Sequence, residues 1–224
     1  MTEILKVDPH DENDLAIAAA AARLVLDRGG VIAFPTDTFY GLGADPKNEA
    51  ALARVFSAKG RAANKPLLVL VASPEEALDL AESLPATARK LIDALWPGPL
   101  TLVLNAKKNL PDRLTAGTGT IGLRQPGSEF TLALLRALGR PLTATSANPS
   151  GHPSPATAAL CSAGVDLVLD TGPLPGGRES TILDVTVSPP RILREGAVAR
   201  ERIEEALGER LAPVEAAPQM RSTS

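Results

Sequence analysis

Cysteine, histidine and aromatic residues are scarce in this sequence. One cysteine, Cys161, excludes an internal disulfide and cannot build a thiolate zinc cage by itself. Two histidines, His10 and His152, are equally thin material for a metal site, and no metal ligand is assigned. Aromatics make up 3% of the chain, so aliphatics and alanine must fill the core and little is left for stacking nucleobases. No apolar run is long enough to span a bilayer, and the opening MTEILKVDPHDEND lacks an apolar secretory core. The expectation is a cytoplasmic protein without a membrane partner. A formal net charge of -3 speaks against a broad phosphate-binding face but leaves room for a local basic pocket. The G-x-x-x-x-G-K-[ST] loop of ordinary NTPases and the G-x-S-x-G elbow are both missing.

What is present reads as an ordinary globular core. Hydrophobic residues are 44% of 224, enough for one large domain or two small ones. DENDLAIAAAAARLVLDRGG predicts a first helix with an acidic or Asn cap, an apolar face at Leu15, Ala18, Ala22 and Val25, and a glycine stop. NEAALARVFSAKG predicts a second, capped by Asn48 and stopped by Gly60. Further helical signals run over 74–82, 86–95, EFTLALLRALG and RERIEEALG. VIAFP, PLLVLVA, the stretch after WPGP, TIGLR, RPLTATSAN, VDLVLD, STILDVT and RILREG predict strands. PLLVLVA has no polar face, as expected of a strand covered on both sides. The fold class is therefore α/β, with a twisted mixed sheet flanked by helices and a ligand cavity at strand ends. No internal repeat or linker divides the chain, so one domain over 1–210 is expected, with an aperiodic tail at 211–224.

Three stretches could hold chemistry. SAKGRAANKP crowds Lys59, Arg61 and Lys65 into one turn. Cations in a last helical turn oppose the macrodipole, which accounts for Lys59; Arg61 and Lys65 lie beyond the glycine stop and fit an anion site or a solvated loop. TATSANPSGHPSP opens a strand into Ser146, Asn148, Ser150 and Ser154, which suits phosphate oxygens or an ordinary turn. FPTDTFYGLGAD places Thr36 and Thr38 on one side if the strand continues, while G-L-G lacks the third glycine of a dinucleotide fingerprint. Thr120, Arg124, Ser180 and Arg194 stand at the ends of other short strands. This inventory of cations and hydroxyls, without an evident nucleophile or imidazole, suits reactions in which a protein positions reactive partners and neutralises charge, as in nucleotidyl transfer.

Taken together, FPTDTFYGLGA, AKGR, NKPLLVLVA, WPGPLTLVL, GTIGLRQP, PLTATSANPSGHPSP, ESTILDVT and RILREGAV resemble, in order, the YrdC-like L-threonylcarbamoyladenylate synthases. The match runs from about the first helix to Gly196, and the K-x-R and S-x-N elements are its most specific marks. The resemblance implies a YrdC-like fold and a reaction joining L-threonine, bicarbonate and ATP into threonylcarbamoyl-AMP with release of pyrophosphate. It implies Mg²⁺ brought with the triphosphate, and a product used for N6-threonylcarbamoyladenosine in tRNA, with tRNA or downstream threonylcarbamoyl-transferase proteins as further partners. By the same resemblance, Lys59 and Arg61 are catalytic. Lys59, Arg61, Asn64, Thr120, Ser146, Asn148, Ser154 and Arg194 bind nucleotide; Thr36, Arg124 and Ser180 bind threonine, with Arg124 suited to a bidentate carboxylate pair. Some members carry a histidine in the strand after the basic turn where this chain has Leu70, so no threonine contact is carried over there. Without a second domain after a linker, the sequence resembles the single-domain form. The competing readings are a non-enzymatic RNA-binding regulator on the same fold, or carbamoyl transfer to another acceptor.

Overall fold

The computed structural model describes residues 2–60, 66–161 and 164–213. Strand β1 (Glu3–Lys6) precedes helix α1 (Glu12–Asp27), strands β2 (Ile32–Phe34) and β3 (Gly41–Gly43), and helix α2 (Glu49–Lys59). Strand β4 (Leu68–Leu70) leads to the one-turn α3 (Pro74–Ala77), then α4 (Ala86–Leu95), β5 (Leu100–Asn105) and the short α5 (Asp112–Thr115). Then come β6 (Thr120–Arg124), α6 (Glu129–Leu138), β7 (Leu142–Thr143) and β8 (Thr145–Ser146). Strands β9 (Leu167–Asp170), β10 (Thr181–Asp184) and β11 (Arg191–Arg194) and helix α7 (Arg200–Leu207) complete the order. None of these helices is long and apolar enough to cross a membrane.

The expected mixed sheet is two mixed sheets. One has the order β1-β9-β2-β3-β8 and the other β11-β10-β5-β6-β4-β7. Parallel pairs (β1 with β9, β4 with β6, β5 with β10) sit beside antiparallel ones (β2 with β3, β5 with β6) in both. RPLTATSAN, read as one strand, changes sheets at Ala144. Its first half, β7, pairs with β4, and its second half, β8, pairs with β3. Thr143 secures that corner, because its hydroxyl donates to the Leu42 carbonyl at 3.1 Å and accepts from the Ala44 amide at 2.9 Å. A buried hydroxyl so used satisfies two groups that the sheet change would otherwise orphan.

Local signals act as the residues suggest. Asp11 caps α1 by accepting from the amides of Asn13 and Asp14, Asn48 caps α2, and Gly60 closes α2 in the left-handed region at φ 56°. Helices α1 and α6 pack together over the five-stranded sheet through Ala22, Leu26, Leu134 and Leu138. The larger core gathers Leu52, Phe56, Leu91, Trp96, Leu102 and Leu123. Strand β4 puts Val69 into this core and Leu70 into the other, consistent with its all-apolar pattern. The helical signal over 74–82 shortens to Pro74–Ala77. Strand β3 is Gly-Leu-Gly, a composition that no strand preference favours. It pairs antiparallel with β2, and Gly43 leaves room for the Phe34 ring, which a Cβ would meet at 2.7 Å. Strand β2 stops before Pro35, so Thr36 and Thr38 lie in a turn rather than a strand, yet their hydroxyls still meet at 3.2 Å.

Gly196, just past β11, lies directly against the backbone that enters β10. A Cβ there would fall 2.4 Å from the Glu179 carbonyl and the Ser180 and Thr181 backbone, and the Ala197 amide donates to the Glu179 carbonyl at 2.8 Å. Backbone on backbone has no flexible side chain to give way. Gly196→Ala should therefore cost about 1–3 kcal/mol or more in urea unfolding. An unchanged midpoint would show that the 179–181 backbone is free to shift.

Candidate active site

Where the two sheets meet at the β7–β8 corner, a cavity of about 690 Å³ opens. Leu68, Leu70 and Ile182 of the six-stranded sheet form its apolar lining. Among the described residues, three cationic side chains reach it from different elements: Lys59, Arg124 and Arg194.

Lys59 ends α2, yet it is 4% exposed rather than a solvated cap. Its ammonium crosses to the segment after β8, donating to the carbonyls of Ser146 and Asn148, the latter at 2.9 Å, and standing 3.3 Å from the Ser146 hydroxyl. In return the Ser150 amide donates to the Lys59 carbonyl at 2.9 Å. The two motifs singled out in the sequence are thus physically bonded to each other. Asn148 is 5% exposed, and its Nδ2 donates to the carbonyls of Pro149 and His152. Two carbonyl acceptors fix which way the amide points, and Oδ1 is left buried without a hydrogen-bond partner among the described residues. Such an orphaned acceptor calls for a donor from elsewhere.

Arg124, at the end of β6, is 4% exposed. Its Nε donates to the Gly98 carbonyl at 3.0 Å and its Nη2 pairs with Asp37. Burial pushes the guanidinium below its usual range, and Asp37 opposes that shift. Two of its three nitrogens are committed, so the free bidentate fork expected from the sequence is reduced to Nη1 plus whatever Nη2 can share. Beside it, the Thr36 hydroxyl donates to the Phe39 carbonyl at 2.6 Å and accepts from the amides of Thr38 and Phe39.

Arg194, on β11, reaches across β10. It donates from Nη2 to the Ser180 carbonyl at 2.9 Å and hydroxyl at 3.1 Å, and its Nη1 pairs with Glu179. The Ser180 hydroxyl is also 2.9 Å from that of Thr101. Ser154 donates to the other Glu179 oxygen at 2.7 Å. The loop delivering Glu179 is anchored by Tyr40, whose buried hydroxyl donates to the Gly172 carbonyl at 2.8 Å and accepts from the Thr171 amide. Burial raises that phenol. It also pushes the Cys161 thiol up to about 12, which removes a thiolate nucleophile at neutral pH.

Of the residues picked from the sequence, Thr36, Lys59, Arg124, Ser146, Asn148, Ser154, Ser180 and Arg194 all line this one cavity. Thr120 does not. It starts β6, about 13 Å of extended strand before Arg124, and its hydroxyl lies 2.9 Å from that of Thr118. Arg61 and Asn64, with Lys65, lie outside the described residues. Sequence reasoning passed over Asp37 and Glu179, the two carboxylates that hold the cavity's arginines. The only signal was adjacency: Asp37 stands between two threonines of interest, and Glu179 precedes Ser180.

Among the described residues, a two-sheet α/β fold thus brings three cationic side chains and several hydroxyls to one cavity. The Sua5–YciO–YrdC family, described as "Telomere recombination", matches residues 24–196, and the chain belongs to it. The threonylcarbamoyl-AMP synthase of Pyrococcus abyssi is 41% identical over 214 residues, covering 93% of this chain and 62% of its own. That of Bacillus subtilis is 42% identical over 210 residues, covering 90% and 60%. The chain thus spans about 60% of the length of these curated relatives. The crystal structure of P. abyssi Sua5 complexed with L-threonine superposes with a TM-score of 0.86 at 40% identity, over 95% of this chain and 63% of that one.

Lys59 emerges as part of the fold as well as of the site. Lys59→Ala strips the donor from two carbonyls on the 146–148 segment, and each unsatisfied buried acceptor costs about 1–3 kcal/mol. Chemical denaturation of Lys59→Ala should show at least one such loss. Wild-type stability would mean that water replaces the ammonium and that the 146–148 segment does not depend on it.

Proposed function

We propose that the chain is an L-threonylcarbamoyladenylate synthase, forming threonylcarbamoyl-AMP and pyrophosphate from L-threonine, bicarbonate and ATP. The observation that carries this is the bond from Lys59 to the S-x-N element at the wall of a cavity that Arg124 and Arg194 also line. Kinship with the P. abyssi and B. subtilis synthases supports it. So does the P. abyssi structure with L-threonine, whose fold this chain shares.

The chemistry asks for positioning and charge neutralisation. The threonine amine and bicarbonate condense to a carbamate with loss of water. A carbamate oxygen then attacks the α-phosphorus of ATP, and the bond to the β-phosphate oxygen breaks to release pyrophosphate. Negative charge grows on the leaving group, where fixed cations are worth most because they need no reorganisation. In this reading Lys59 and Arg61 face the triphosphate with Ser146, Asn148, Ser154 and Arg194; the family resemblance gives Asn64 and Thr120 to the nucleotide as well, Thr120 from outside the cavity lining. Mg²⁺ enters with the triphosphate as part of the substrate. Asn148 offers its orphaned Oδ1 to a donor on the ligand. Thr36, Arg124 and Ser180 form the threonine side, with Asp37 holding Arg124 in place. The product serves N6-threonylcarbamoyladenosine formation in tRNA, in the cytoplasm, with tRNA or a downstream transferase receiving it.

Purified protein should release pyrophosphate from ATP only when L-threonine and bicarbonate are both supplied, followed by coupled phosphate detection. Release independent of threonine would replace the synthase by an ATPase or by carbamoyl transfer to another acceptor; RNA binding without any release would favour the regulator. Arg124→Lys keeps the charge but cannot reach Gly98, Asp37 and a ligand in one plane. Losing a charge-assisted contact at this buried site should weaken L-threonine binding about tenfold or more while sparing ATP, by calorimetry. Equal losses for both ligands would take Arg124 out of the amino-acid subsite.

A further inference from the structure

Among the described residues, each arginine lining the cavity is already paired with an internal carboxylate, and the two pairs differ in how easily they open. Arg124 and Asp37 have side chains 5% and 17% exposed, whereas Arg194 and Glu179 are 40% and 38% exposed. Separating the first pair would leave a buried charge alone; separating the second hands both ends to water at little cost. The Glu179 carboxylate is also fully used by ligand-facing groups. One oxygen takes the Ser154 hydroxyl at 2.7 Å and the other pairs with Nη1 of Arg194. It therefore bridges the loop after β8 to strand β11, two walls of the cavity, and presents an anion to the two groups that the synthase reading gives to the nucleotide.

The surrounding backbone restricts how this bridge can open. The Glu179 carbonyl is held by the Ala197 amide at 2.8 Å, and the Thr181 amide is held by the Pro99 carbonyl at 3.0 Å. Gly196 is packed directly on the peptide between them. Side-chain rotation is the movement left to Glu179.

We propose that Glu179 is an internal stand-in for phosphate. Its carboxylate holds Ser154 and Arg194 in place while the site is empty and swings out, by rotation of the side chain, when the nucleotide enters. This rests on the synthase reading, which assigns Ser154 and Arg194 to ATP. The anion contacts are then preorganised before the ligand arrives, and the same carboxylate competes with pyrophosphate after the reaction and so speeds its departure. A competing internal pair of this exposure lowers apparent anion affinity by about two- to sixfold.

The test is calorimetric titration of inorganic pyrophosphate, ATP and L-threonine, with and without Mg²⁺, into the wild type, Glu179→Gln and Glu179→Ala. Gln keeps the shape and the Ser154 bond without the charge; Ala removes all three. Glu179→Gln should bind pyrophosphate and ATP about two- to sixfold more tightly, with L-threonine affinity unchanged, and Glu179→Ala, which also loses the hold on Ser154, should gain less. Unaltered anion affinity in both would overturn the proposal. Weaker binding would also overturn it, and weakening seen only with Mg²⁺ would make Glu179 a metal partner instead. A wild type that binds neither pyrophosphate nor ATP would refute the synthase reading itself and remove the ground for this one.

Discussion

The site depends on one buried ammonium. Lys59 closes helix α2, and its bonds to the carbonyls of Ser146 and Asn148 tie that helix to the segment leaving β8. The Ser150 amide adds a backbone bond to the Lys59 carbonyl at the same junction, so the serine and asparagine loop is held against the end of α2 from both sides. A charge buried this far is tolerable only because several oxygens surround it. The same oxygens set the positions of the Ser146 hydroxyl and the Asn148 amide. A residue chosen for charge thus fixes geometry, and a motif that looks like loop composition becomes a shaped wall.

The other charges of the cavity follow the same rule to different depths. Arg124 is committed to Gly98 and Asp37 and sits almost out of water, so it acts as a fixed post. Arg194 spans β10 to reach Ser180 and Glu179 and stays partly wet, so its partner can be exchanged. In the synthase proposed above, fixed posts suit the small amino acid and exchangeable pairs suit the polyanion that leaves as pyrophosphate. Preorganised dipoles and charges lower a barrier because they are not rearranged during the reaction, and here the folding of the strands has already done that arranging.

The two-sheet architecture supplies the space. A strand that stays in one sheet buries both faces or exposes one continuously; a strand that changes sheets at Ala144 parts the two layers and leaves an opening between them. Thr143 makes the change tolerable by satisfying the Leu42 carbonyl and the Ala44 amide with one hydroxyl. Leu68, Leu70 and Ile182 of the six-stranded sheet then line the opening. The apolar lining and charged walls come from one topological event.

Much of this was legible in the residues. Caps at Asp11 and Asn48, the glycine stop at Gly60 and the doubly covered strand at Leu68–Leu70 are local or periodic signals, and they act over a few residues of backbone. The hydroxyls and cations at strand ends were visible too, since strand alternation places them. Strand β3 was hidden because glycine fits a strand only when a neighbouring ring, Phe34, needs its space. Asp37 and Glu179 were hidden because a carboxylate beside a threonine or serine carries no mark of which arginine it will meet 87 or 15 residues away. The sequence by itself determined most of the helices and strands, though not β1, β3 or α5, together with the caps and the chemical inventory of the site, which are written in short-range pattern. Only the tertiary structure decided that there are two sheets rather than one, that Lys59 is buried, and which carboxylate each arginine holds, because those depend on contacts between residues far apart in the chain.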